Sequence, residues 1–342
     1  MIMAPSVISN RVYTTKETHR MQKRKIRWVI AHLPEHLFIR TANAFSKALD
    51  EILPGQFEVE ILRAGEYAEK YNKYQDIGEL QDLSADSSTA MDSFFQALEH
   101  ADIEMGQFQL AELADRFSEQ MNVFDMPYMF DNHEHVNRVV EGDIGAELQA
   151  GIEMNSPVKP LAYTYSGGYR TFGSHRPLET LADIKKVATS KGVLADTLRT
   201  ALGSDTTEQG SYLSTKADLP NDDIPVVEST YLRFNDRVKH IYKTDHSMFM
   251  TDIVVSKKFF NTLNEEQQQG MMEAAKQAAK QERQWSIDDA ESFENNSEAH
   301  GRKITAITDA EQAMFRKTAQ RMYVKYRHMF KDNIINRIKR LS

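Results

Sequence analysis

The chain has 342 residues, 41% of them apolar and 27% charged, with a net charge of -8, the composition of a soluble globular protein of about two domains. The negative balance provides no global field for gathering phosphates and excludes a general nucleic-acid binder. Cysteine is absent, which excludes disulfides, thiol nucleophiles and zinc-thiolate sites and suits an oxidising compartment such as a bacterial periplasm.

Residues 1–25 read as an N-terminal extension. Its opening Met1-Ile2-Met3-Ala4-Pro5-Ser6-Val7-Ile8 is too short and broken for a secretory h-region, and no apolar run reaches the ~18 residues of a membrane span. The basic runs Arg20–Lys25 and Arg337–Arg340 read as solvated termini. Ile26–Ala31 is a strand. Leu37, Thr41, Ala44, Phe45, Ala48, Leu49 and Ile52 then recur at helical spacing until Pro54-Gly55, and Phe57–Leu62 alternates as a second strand. Two strands joined by a helix imply a parallel pair. His32, Glu35 and His36 lie in the intervening strand-to-helix loop, which in α/β folds opens onto the ligand crevice. They read as polar cleft lining. Pro34 and the residue order forbid a helical zincin motif, and no metal site or cofactor is expected.

The polar, Tyr-rich stretch 64–86 gives no clear element. A helix over 88–98 and a strand over 103–106 repeat the strand–helix–strand unit and favour an α/β fold. The apolar loop Phe124–Phe130 is broken by Pro127, and a helix is expected from His133 to Met154, capped by Asp131 or Asn132. Residues 158–171 form a long strand, 183–202 a mostly helical stretch, and Ile224–Glu228 and His246–Ser256 two more strands. From Asn264 the chain runs helical to about Gly301, roughly 50 Å at 1.5 Å per residue, so this helix crosses more than one domain. Met271, Ala275, Ala278 and Trp285 share its apolar face. A strand over 303–307 and a final helix capped by Asp309 close the chain.

No Ser-His-Asp set, Gly-x-Gly-x-x-Gly or Walker loop is present, so the chain is not expected to be an enzyme. What stands out is Ser166-Gly167-Gly168-Tyr169-Arg170, an arginine on a glycine-loosened strand end. A guanidinium offers paired donors that match a carboxylate and stays charged at any working pH. The alternative is a structural arginine paired with a carboxylate of the chain itself.

In order and spacing, four landmarks together resemble the DctP-type extracytoplasmic solute-binding subunits of TRAP transporters. They are Met126-Pro127-Tyr128-Met129, Gly168-Tyr169-Arg170 with Ser174-His175-Arg176-Pro177-Leu178, Val255-Ser256-Lys257-Lys258-Phe259-Phe260, and Leu263–Gln268 leading into Glu273-Ala274-Ala275. The resemblance covers roughly residues 26–330. It implies a two-lobed, periplasmic-binding-protein-like α/β fold with interleaved lobes, crossing strands and a long helix spanning both. One lobe would take 26–165 with 244–283, the other 166–243 with 284–342. It further implies a periplasmic monomer that closes on a small organic acid and delivers it to TRAP permease subunits. Arg170 falls on the family's ligand-contacting arginine, Gln107 on a ligand-lining position and His246 on a crossing segment, with Phe249 as a pocket wall.

Two departures lie in the cleft. The family's second arginine is missing from Asp183-Ile184-Lys185-Lys186-Val187-Ala188-Thr189-Ser190-Lys191, where Ala188 or Ser190 takes its place, and its Gln-Glu-Asn-Pro segment keeps only Glu228. These changes raise a second expectation, a divergent relative acting as a sensor or interaction module.

Overall fold

The computed structural model describes residues 23–32, 35–81, 88–184, 186–189, 193–203, 205–208, 226–231 and 238–342. β1 (Arg24–Ile30) is buried on both faces. Ile26, Trp28 and Ile30 join one core, and Val29 joins another on the opposite side. α1 (Glu35–Ile52) packs Phe38, Ala42, Phe45 and Leu49 onto the first of these, and β2 (Phe57–Arg63) returns parallel to β1. The segment that gave no clear sequence signal forms α2 (Ala64–Tyr71) and a 3-10 turn at Gln75–Gln81. α3 (Ser88–His100) leads into β3 (Met105–Gln109), which meets β1 in parallel at Trp28 and Met105.

α4 (Leu110–Phe117) and a 3-10 turn at Glu119–Asp125 follow. The single helix expected over 133–154 is two, α5 (His133–Val140) and α6 (Asp143–Asn155). Glycines permit the break: a Cβ on Gly142 would sit 2.8 Å from the Arg138 carbonyl oxygen, and one on Gly145 only 2.3 Å from that of Val140. Asn132, one of the two expected caps, accepts from the His135 amide.

β4 (Val158–Tyr169) runs out of the first sheet and β5 (Thr171–Ser174) begins the second. β6 (Lys186–Thr189), α7 (Val193–Leu202), β7 (Asp205–Glu208), β8 (Val226–Ser229) and β9 (His240–Lys243) complete most of that lobe. The stretch 183–202 is therefore not mostly helical: its β-branched Val187 and Thr189 lie in a strand that pairs in parallel with β7 and β8. β10 (Met248–Ser256) returns to the first sheet between β3 and β4, giving the order β2-β1-β3-β10-β4.

After the short α8 (Lys257–Phe260), α9 (Glu265–Asn295) runs for 31 residues. Its start is fixed by a reciprocal cap between Asn264 and Gln267. Met271, Ala274, Ala275, Ala278 and Ala279 bury against α1 and the first sheet, whereas Ala290 and Phe293 pack on Tyr231, Val238 and Ile241 of the second lobe. β11 (Lys303–Ala306) joins β9 at the edge of the order β11-β9-β5-β8-β6-β7. α10 (Asp309–Tyr326) is capped by Thr308, not Asp309, and packs Phe315 and Ala319 on the second lobe. α11 (Ile334–Lys339) returns to the first lobe, burying Ile334 and Ile338. The C-terminal basic run is accordingly in use: Arg337 pairs with Glu147 at 2.7 Å, and Lys339 donates to the Tyr128 carbonyl.

The fold is thus the two-lobed α/β architecture expected, with lobes joined by two strand crossings, the long α9 and the return from α10 to α11. Within β10, Asp252 is fully buried. Its two oxygens accept from Gln149 Nε2 at 2.8 Å and from the Ala162 amide at 3.1 Å. Burial pushes its carboxyl up to about 7 from an ordinary 3.8. Between about pH 4 and about pH 7 the unfolded chain therefore holds fewer protons than the folded one, and stability falls as pH rises through that window. Asp252→Asn keeps both bonds if Gln149 turns its amide. Urea unfolding at about pH 5 and about pH 8 should show the variant gaining on the parent at the higher pH, by a few kcal/mol at most. An equal difference at both pH values would refute the linkage.

Candidate functional site

The two strand crossings run side by side, 169–171 between β4 and β5 and 244–247 between β9 and β10. The Arg170 amide donates to the Ser247 carbonyl at 2.8 Å. Just before this point β4 bulges: Met248 and Met250 of β10 face Tyr169 and Tyr165, so that Phe249 stands against Ser166, Gly167 and Gly168. Gly167 and Gly168 absorb the excess at φ 109 and 77, backbone that favours glycine. The bulge delivers Arg170 to the junction of the lobes.

There the side chain turns inward, with 4% of its surface exposed. Nη1 donates to Asp125 Oδ1 at 2.9 Å and to the Met248 carbonyl at 3.2 Å, and lies 3.4 Å from Ser247 Oγ. The guanidinium lies over the Phe249 ring, 5.1 Å from its centroid, a favourable cation–π position. Asp125 ends the 3-10 turn that opens the apolar loop around Pro127. That loop is tied to the other crossing, Tyr128 donating through its amide to the His246 carbonyl at 2.7 Å and through its hydroxyl to the Thr244 carbonyl at 3.1 Å. Arg170 therefore joins three segments. The sequence placed it where a ligand could reach; the structure gives it a carboxylate of this chain as a partner.

His246 is also inside. Its ring stacks between Phe172 at 5.3 Å and Phe315 at 6.1 Å, with Nδ1 2.8 Å from Thr244 Oγ1. Burial and then the Arg170 charge push its pKa down to about 3, so the imidazole is neutral. Phe249 is buried under the Arg170 guanidinium. The geometry gathers Arg170, His246 and Phe249 at one point.

Gln107 lies in a separate polar knot between β3, β4, β10, α1 and α9. Its Nε2 is within 2.7 to 2.9 Å of Glu282 Oε2, Thr164 Oγ1 and Thr251 Oγ1, while its Oε1 has no partner. Glu282, fully buried on α9, also accepts from Thr41 Oγ1 at 2.7 Å and Ser166 Oγ at 2.8 Å. Burial raises its pKa. The knot reaches the bulge through Ser286, which receives the Gly167 amide at 3.3 Å. Sequence reading missed Glu282 because Trp285 was set on the apolar stripe. Trp285 is in fact half-buried, with Arg40 stacked 4.4 Å above its ring. The stripe Met271, Ala275, Ala278 continues onto Glu282, and a carboxylate at an apolar position was the available signal.

His32 is half-buried, its ring edge-on to Phe108 at 5.8 Å, and His36 is exposed. The Glu35 and Glu228 side chains lie outside the described residues; β8 aligns Glu228 with Phe172 of β5. His135 on α5 is fully buried, with Nε2 2.8 Å from the Ile338 carbonyl where α11 docks. Among the described residues no three His, Asp or Glu side chains are grouped to hold a metal.

Residues 31–190 and 225–329 match the family model for bacterial extracellular solute-binding protein, family 7 (DctP). The chain belongs to this family. It is similar to the 2,3-diketo-L-gulonate-binding periplasmic protein YiaO of Escherichia coli, 26% identical over 57% of this chain and 60% of that protein. It also resembles the C4-dicarboxylate-binding protein DctB of Bacillus subtilis, 23% identical over 87% of this chain and 80% of that one. The first curated relatives are matched over only 50–60% of their own length. Among solved structures, a TRAP periplasmic solute-binding protein from Desulfovibrio desulfuricans with bound sn-glycerol-3-phosphate superposes with a TM-score of 0.77 at 16% identity, over 93% of this chain and 97% of that one. A TRAP protein from Shewanella oneidensis with bound succinate gives 0.75 at 17%, over 94% and 99%. At such identities the likeness is one of fold.

Proposed function

We propose that this DctP-family protein captures a small organic acid between its lobes, outside the cytoplasmic membrane, and hands it to the membrane subunits of a TRAP-type transporter. The observation that carries the reading is the Arg170 guanidinium, fixed by both crossings at the junction about which the lobes would move. A ligand that touches this arginine and both lobes favours the closed state, and closure is then a population shift driven by differential contacts. A charge-assisted hydrogen bond to the carboxylate contributes about 1.5–3 kcal/mol. Asp125 already supplies a counter-charge, so an incoming acid shares the guanidinium with it and gains less than it would at a bare cation. The periplasmic relatives and the solved structures with bound acids support this chemical class. His32, His36, Glu35, Glu228 and Phe249 are proposed to shape the cleft around the acid, with Gln107 bracing β3 from the buried knot. The chain is read as a binder, with no catalytic step.

The Arg170–Asp125 pair, together with the absence of the family's second arginine at Ala188 or Ser190, favours a second reading as a sensor that no longer serves transport. A thermal-shift series over mono- and dicarboxylates tests the first. An acid at a hundred times its dissociation constant should stabilise the fold by about 2.7 kcal/mol, and Arg170→Ala should lose that gain. An unchanged gain in Arg170→Ala would remove the arginine from the site, and no gain with any acid leaves the sensor reading standing.

A further inference from the structure

Away from the crossings, α9 covers a second concavity of about 600 Å³. Its other walls are the α5–α6 junction, α6 and the stretch Leu161–Tyr163 of β4. Lys276, Lys280 and Arg283 all line it, at the i, i+4, i+7 spacing that sets side chains on one helix face. Arg283 is 7% exposed. It donates to the Tyr163 carbonyl at 2.9 Å and pairs with Glu141, so its charge is satisfied. Lys276 and Lys280 are exposed. No ion pair or hydrogen bond involves their ammonium groups among the described residues. Glu273, on the same rim, accepts from Gln277 Nε2 at 2.9 Å. Three cations therefore meet two carboxylates in this hollow, a positive spot on a chain of net charge -8.

Two like charges at i, i+4 repel and weaken an isolated helix, and an anion bound between them turns that repulsion into attraction. Of the apolar lining, Val140, Leu161 and Ala162 are buried and form the floor, while Ala146 is exposed at the rim. The volume lies within the roughly 300–1,000 Å³ of small-molecule sites. We propose that this cavity is a second ligand site, separate from the interlobe cleft, and that it takes a small dianion with an apolar body, such as an aryl dicarboxylate. The ammonium groups hold its charges as adaptable point donors, and the floor covers its carbon frame.

Isophthalate, with inorganic phosphate as the dianion lacking an apolar body, is the probe. Each is titrated into the whole protein carrying 13C-methylated lysines, with the Lys276 and Lys280 resonances assigned from single Lys→Arg variants. Isophthalate is expected to shift both resonances saturably while Lys47 on α1 stays still, and phosphate is expected to bind more weakly. The double variant Lys276→Glu/Lys280→Glu, whose changes are confined to exposed positions, should lose at least about tenfold in affinity. The proposal is overturned if the two resonances do not saturate, if Lys47 moves with them, if phosphate binds as tightly, or if the charge-reversed variant titrates like the parent.

Discussion

Alanine in place of Asp125 should destabilise the protein by about 3–5 kcal/mol, the usual cost of leaving one member of a buried ion pair without its partner. The pair qualifies, its side chains being 5% and 15% exposed at a separation of 2.9 Å. The loss spreads beyond the pair, because the same nitrogen of Arg170 also binds the start of β10 at the Met248 carbonyl. Asp125→Asn retains an acceptor without the charge and should cost markedly less. Joint replacement, Asp125→Leu with Arg170→Met, removes both charges and should cost less than the two single changes added together. Urea unfolding of the four proteins measures the coupling. Strict additivity would show that the two groups do not interact in solution, and Arg170 would then be an open cation, as its position in the sequence first implied.

Burial periodicity writes itself into the sequence, whereas short strands, glycine geometry and distant ion pairs do not. β1, α1 and β2 were legible because Ile26, Trp28, Ile30, Phe38, Phe45 and Leu49 repeat at the periods that burial imposes, and those residues form one core. β6, β7 and β9 are four residues each, too short for alternation to register. Leu194, Leu198 and Ala201 repeat at helical spacing just after β6 and hide it. The division of α5 from α6 rests on glycine geometry that periodicity ignores. At the site, Gly167-Gly168 marked where the strand deforms, and therefore where Arg170 is presented. Its partner lies 45 residues away, and an ion pair across that separation leaves no local trace. His246 was a polar residue on an apolar strand, which is equally compatible with lining a cleft or packing a core. Only the stacked Phe172 and Phe315 rings distinguish the two.

Glu282 is the other costly polar group, and its variants separate charge from hydrogen bonding. Its oxygens serve Gln107, Thr41 and Ser166, and among the described residues no ion pair involves them. Burial raises its pKa, so the folded protein favours the neutral form over the charged one relative to the unfolded chain. Glu282→Ala opens a cavity in the knot and withdraws an acceptor from buried donors, for an expected loss of about 2–5 kcal/mol. Glu282→Gln fills the same volume, removes the buried charge and keeps one oxygen to accept from these donors. It should be neutral or stabilising at neutral pH, and its advantage over the parent should shrink as pH falls and the parent's carboxylate takes up its proton. Paired urea titrations at about pH 5 and about pH 7 decide the matter. If Glu282→Gln proves as damaging as Glu282→Ala at both, then the knot requires a negative charge, and a bound cation would have to be sought among these oxygens.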